Sequence, residues 1–263
     1  MSCGHSLLKV IATLGLLTAL GATMNVEAGL PGVGVDSWKE EVLLHDGQKI
    51  IVERSQTYGG RHEVGQSVPE KEHTIRFTLP NSNKSISWTS EYSEDLGRTN
   101  FNLLALHIKQ GTPYLVVEPN LCLSYNKWGR PNPPYVFFKH DGREWQRVGI
   151  ADVPGEFKAI NLIVNTSRLS DIKEVSKDSG FVPAEAVIKI NENLRQPELK
   201  TILRKPLADA GKICGEMVSN GKGSWVGMGW FSRQPSYDAC VNQCFIQDFA
   251  APYCPCITLF KGK

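Results

Sequence analysis

Cysteines are the densest source of chemistry in this chain: Cys240, Cys244, Cys254 and Cys256 crowd its end, with Cys122 and Cys214 ahead of them and Cys3 at the N-terminus. Four thiolates could hold a zinc ion, a reactive pair could exchange disulfides, or the sulfurs could be bonded to one another. Zinc knuckles and redox pairs both favour C-x-x-C. The spacings here are C-x-x-x-C and C-x-C, so disulfides are expected, with no metal and no cofactor. On a helix, Cys240 and Cys244 project from one face about 6 Å apart along the axis. In an extended strand, Cys254 and Cys256 share a face about 6.6 Å apart. Two bridges of ordinary Cα separation could therefore staple such a helix to such a strand.

This arrangement resembles the helix-to-strand staple of cystine-stabilised α/β modules such as defensins and scorpion toxins. The likeness covers only Cys240 to Cys256 and lacks that family's third bridge and Gly-x-Cys strand. In that family, helix and strand run parallel and pair first with first. Here nine residues separate Cys244 from Cys254, a direct turn back that favours the antiparallel pairing of Cys240 with Cys256 and Cys244 with Cys254. The C-x-x-x-C helix is also similar to that of PAN or apple modules, which bind proteins or glycans. By elimination, Cys122 pairs with Cys214.

Catalytic spacing is missing. There is no G-x-S-x-G elbow, H-E-x-x-H helix, phosphate loop or dinucleotide fingerprint. Ser124 to Lys127 and Ser170 to Lys173 match S-x-x-K, but the companion motifs of penicillin-binding enzymes are absent. His45 and His140 fall in turns, while His62, His73 and His107 stand singly in or beside strands, so no catalytic residue is assigned. The stretch from Tyr125 to Tyr135 is different in kind. Its three prolines and a glycine predict a stiff, extended loop presenting Tyr125, Trp128, Arg130 and Tyr135. Aromatic faces beside guanidinium and amide donors suit a sugar or an extended peptide. Burial of the same rings as a plug on the core is the competing reading. The Gly-rich segment holding Trp225 and Trp230 has the same ambiguity. The run from Leu121 to Tyr135 resembles uncharacterised exported proteins of Gram-negative bacteria. That resemblance implies the periplasm and says nothing of activity.

These groups must be held by a scaffold, and turn chemistry outlines it. Glu41 to Leu44 and Lys49 to Glu53 flank Asp46-Gly47. Tyr135 to Phe138 and Trp145 to Val148 flank Asp141-Gly142, and an Asp-Gly pair supplies the positive φ of a tight hairpin. Two more hairpins are predicted, from Thr74 to Leu79 with Ser85 to Thr89, and from Leu104 to Ile108 with Tyr114 to Val117. The fold class is therefore α+β. Its N-terminal part, 29–166, is predominantly antiparallel β, arranged as a sandwich, open barrel or propeller-like hairpins. Its C-terminal part, 167–263, is mixed and helical with a disulfide-stapled end. Helices are predicted from Ala184 to Arg195, after Pro197, and from Tyr237 to Phe249 behind a Ser236 cap.

The first residues read as a signal peptide, 1–28: a polar start ending at Lys9, an apolar run of roughly 15 residues where a span needs about 20, and Val26-Glu27-Ala28 before a predicted cleavage. Cys3 would leave with it. No stable membrane span is expected afterwards, and the location is periplasmic or secreted. With 29 basic and 27 acidic residues, net charge +2, no field drives nucleic-acid binding. The function expected is non-catalytic binding of an envelope protein or glycan. The alternatives are a hydrolase acting on an envelope polymer and a structural accessory subunit.

Overall fold

Each turn between the β-rich runs closes a hairpin. The computed structural model describes residues 34–164, 166, 169–209, 212 and 214–261; the expected signal peptide and its cleavage site lie outside them. β1 (Val35–Leu43) and β2 (Lys49–Tyr58) meet at Gly47, whose φ of +86° is the left-handed conformation the Asp-Gly pair foretold. β3 (Glu70–Thr78) pairs with β4 (Ser85–Thr89), and a two-residue ribbon, β5 (Tyr92–Ser93) with β6 (Arg98–Thr99), follows. Then come β7 (Phe101–Lys109), β8 (Thr112–Pro119), β9 (Val136–His140) and β10 (Trp145–Val148). β1 to β4 form one antiparallel meander, and β7 to β10 form a second.

Period-2 burial decides how the sheets stack. Val42, Val52, Ile75, Phe77 and Trp88 from the first sheet share one core with Leu103, Leu106, Leu115 and Val117 from the second. Two sheets enclosing a common apolar layer make a sandwich. The second sheet is buried on both faces. Leu104, Tyr114, Val116 and Phe137 on its outer face are covered by Val153, Phe157 and Ile202, which is why β7 and β8 read as nearly continuous apolar runs. Asn161 locks the two sheets together. Its amide accepts from Leu106 N–H at 2.9 Å and donates to Leu106 O at 2.8 Å and Leu43 O at 2.9 Å.

Of the remaining elements, the first three helices contact the sandwich, and the C-terminal helices pack on one another and on a short ribbon. In chain order these elements are α1 (Leu121–Lys127), α2 (Leu169–Ser176), α3 (Ala184–Asn191), the short ribbon β11 (Met217–Ser219) with β12 (Trp225–Gly227), α4 (Gly229–Ser232), α5 (Tyr237–Ile246) and α6 (Cys256–Phe260). Ile172 of α2 and Val187 of α3 close over Trp38 of β1. All these elements belong to one compact unit, Gly32–Lys263.

Three local expectations need correction. The residues after Pro197 form a 3-10 turn, Pro197–Leu199, and not a helix. The stretch from Tyr125 to Tyr135 is not extended throughout, because α1 takes its first three residues and Gly129 (φ +83°) and Arg130 (φ +53°) then reverse the chain. Cys254 and Cys256 do not lie on a strand. Pro255 has no N–H to give a ladder, adopts φ −79° and ψ −2°, and opens α6 at Cys256.

Candidate functional site

Three disulfides organise the C-terminal third. Cys122–Cys214 joins α1 to the segment before β11, with a Cα separation of 5.4 Å. Cys240–Cys256 and Cys244–Cys254, both at 5.8 Å, tie α5 to the last turn and to α6. The two bridges touch, with Cys244 Sγ 3.6 Å from Cys256 Sγ. Sulfurs bonded in this way carry no thiolate to give a metal. Around them Phe231, Phe249, Val218 and Val226 complete a small core. α5 begins as its sequence dictates: Ser236 Oγ accepts from Ala239 N–H at 3.2 Å, and Asp238 lies in the first turn.

Cys240 and Cys244 turn inward, and the arc of α5 that begins beside them is left outside. Tyr237, Val241 and Phe245 recur every four residues and so form one stripe, with Phe245 exposed by 85%. Ile246 of α5, Ile257 of α6, Tyr253 and Trp230 are also exposed. Seven of the fifteen large exposed apolar side chains among the described residues fall in this short module, whereas the rest are spread along the chain. Single exposed apolar residues are ordinary, but a cluster on a cross-linked helix is not. Tyr253 lies across Gly221, whose φ is +73°, with its ring where a Cβ would be. Only glycine supplies both the conformation and the space there.

The six aromatic and guanidinium candidates are placed differently. Tyr125 and Tyr135 are buried. Tyr135 Oη donates to Glu198 O at 2.7 Å and Thr201 O at 3.0 Å, and burial pushes its hydroxyl up to about 12. Trp128 packs on Phe101 with ring centroids 4.5 Å apart, under the Arg147 guanidinium. Arg130 lies over the Tyr125 ring and donates to Cys214 O at 2.8 Å, Gly215 O at 3.2 Å and Asn126 Oδ1 at 3.0 Å. Arg130 thus ties the sandwich side to the segment beside Cys122–Cys214, Tyr135 ties it to residues 198–203, and Trp128 packs on the sandwich itself. Trp225 is half-buried and donates to Asp95 at 3.2 Å. Trp230, at 56%, is the exposed member of the set.

No family model, no curated protein and no solved structure matches this chain, so its chemistry is read from its own residues. The S-x-x-K pairs do not meet: Ser124 donates to Asn100 O, Lys127 pairs with Asp95 at 3.1 Å, and Lys173 pairs with Asp36 at 2.8 Å. His107 stacks on Phe157 and donates to Ala159 O at 3.0 Å, while His62 reaches the carbonyl of Gly60 and His140 accepts from Gly142 N–H. Among the described residues, no hydrogen bond joins a histidine to a side-chain hydroxyl or carboxylate. The arrangement lends itself to binding through the α5 face. That face escaped sequence reasoning, although the apolar i, i+4, i+8 stripe alongside the cysteines was its signal.

Removing Cys122–Cys214 should loosen the join between the two parts. The bridge spans a sequence separation of 92 residues, and the chain-entropy account gives about 2–5 kcal/mol for losing such a bond. A Cys122→Ala, Cys214→Ala protein should therefore unfold in less urea than the wild type. Equal midpoints would mean that Arg130 and its carbonyl contacts suffice.

Proposed function

We propose that this chain is a non-catalytic protein of an oxidising compartment, the periplasm or the cell exterior, and that it docks an envelope protein through the exposed face of α5 and α6. The observation that carries this reading is the stripe Tyr237, Val241 and Phe245, held rigid by two disulfides on its buried side. A pre-organised surface loses little entropy on binding, and large aromatic side chains supply most interface energy. Three disulfides support the compartment, as does the likeness of Leu121 to Tyr135 to exported proteins. Among the described residues, no helix is long and apolar enough to cross a membrane.

The chemistry of the face favours protein over lipid or sugar. α5 carries no lysine or arginine, and its one charge is Asp238, whereas an anionic membrane surface attracts basic helices. Tyr237 supplies the stripe's single donor, and Val241, Phe245, Ile246 and Ile257 have none to orient a sugar. A partner with an apolar groove and a basic group facing Asp238 fits both features. The hydrolase alternative has no residue set to rest on among the described residues. A structural accessory subunit would use the same face and differ only in holding its partner permanently.

Phe245→Asp tests the proposal. The residue is too exposed for its replacement to disturb the fold, yet a buried charge at an interface centre should weaken partner binding by about tenfold or more. Quantitative co-purification after mild cross-linking in native envelopes should show proteins retained by the wild type and lost with this variant. Identical profiles would count against the face.

A further inference from the structure

A second candidate site lies at the start of α1. A cleft of about 550 Å³ opens where the ends of β7 and β8 meet the start of α1 and the Pro197–Leu199 turn. It is lined by none of the α5 stripe residues. Its volume suits a small organic ligand. Leu123, Leu199 and Pro134 give it apolar walls, and Glu118 and Glu198 bring two carboxylates to it.

Glu118 is the unusual member. It is opposite Asn102 in the β7–β8 register, and Asn102 Nδ2 donates to its Oε1 at 3.1 Å. No lysine, arginine or histidine among the described residues pairs with it. Burial raises its pKa above the ordinary carboxylate value, and the charge of Glu198 raises it further. A half-buried carboxylate with one amide donor, a second carboxylate nearby and no counter-ion is electrostatically incomplete. Fully buried Glu40, by contrast, is paired with Arg54, and half-buried Asp36 and Asp95 are paired with Lys173 and Lys127.

We propose that this cleft binds a small organic cation, a primary ammonium on a short apolar stem, with the ammonium against Glu118 and the stem between Leu123, Leu199 and Pro134. The ligand supplies the charge the protein withholds, and the stem covers walls that a hydrated metal ion would leave wet. Asn102 fixes one oxygen of Glu118, so the other is presented to the incoming group. Glu198 contributes attraction from the turn.

The test uses hexylammonium and hexanol, equal in stem and different in charge, titrated into the full chain by calorimetry and followed by backbone amide shifts. The expected result is binding of hexylammonium at least about tenfold tighter than hexanol, the equivalent of one productive charge contact. The amides of Asn102, Leu123 and Leu199 should shift. In Glu118→Gln the two ligands should bind alike, and Glu198→Gln, at the more exposed turn, should narrow the preference without removing it. Equal binding of both probes to the wild type, shifts confined to other residues, or an ammonium preference surviving in Glu118→Gln would each overturn the proposal. If Glu118→Gln fails to fold, the wild-type comparison and the Glu198→Gln arm still decide it.

Discussion

Replacing Arg54 with methionine should cost the fold about 3–5 kcal/mol, the usual result of stranding one partner of a buried ion pair. Glu40 and Arg54 stand on neighbouring strands, β1 and β2, with their side chains 0% and 1% exposed. Arg54 Nη1 donates to Glu40 Oε1 at 2.7 Å, and Trp38 Nε1 donates to the other oxygen at 3.0 Å. The guanidinium also lies 5.2 Å from the centre of the Trp38 ring. Removing it leaves a carboxylate in the sandwich with one neutral donor. The double replacement Glu40→Leu, Arg54→Met removes both charges and should recover most of the loss. Urea unfolding of the three proteins measures this directly. A single-variant loss below about 1 kcal/mol would mean that water reaches the pair.

Acid should weaken the protein steeply, beginning below pH 6.5. His73 is held at about 3 by burial and then by the charge of Arg54, and His107 at about 4, chiefly by burial. Both stay neutral in the folded chain while the unfolded chain takes up protons at the ordinary value of 6.5. Their contribution is therefore complete above pH 6.5 and is lost as pH falls towards 4 for His107 and towards 3 for His73. Each histidine costs about 1.4 kcal/mol per pH unit inside its window, so the pair removes about 3–4 kcal/mol between pH 6.5 and 5. Glu118 acts in the opposite sense, because its raised pKa lets the native state bind a proton first. Unfolding free energies at pH 7 and 5 check the sum. Replacing both histidines with glutamine should flatten the profile, and an unchanged slope would place the protonation elsewhere.

The hairpins were legible because their signals are local. Asp46-Gly47 and Asp141-Gly142 prescribe the turn, and alternation in β1 to β4 prescribes one buried face. The pairing of α5 cysteines was legible because helical spacing and a short return leave few alternatives. The last turn is not legible in this way, since period-2 reasoning places Cys254 and Cys256 on one face of a strand whether or not Pro255 lets the chain continue. The aromatic stretch shows the opposite difficulty. Tyr125, Trp128 and Tyr135 have the composition of a recognition loop, but burial depends on what packs over them, here Phe101, Arg147 and the segment held by Arg130. The Glu118 cleft left no trace in spacing. Its residues come from β7, β8, α1, Pro134, Cys214 and the 196–199 turn, which meet only in the folded chain.

A photoreactive phenylalanine analogue placed at Phe245, at Trp128 and at the fully exposed Val64, with illumination in native envelopes, tests the docking face most directly. One identified envelope protein should be captured from position 245, its capture should be abolished by Val241→Asp, and that protein, once purified, should bind the purified chain directly. Capture of the same protein from position 128 and none from 245, or an adduct from 245 composed of two copies of this chain, would contradict it.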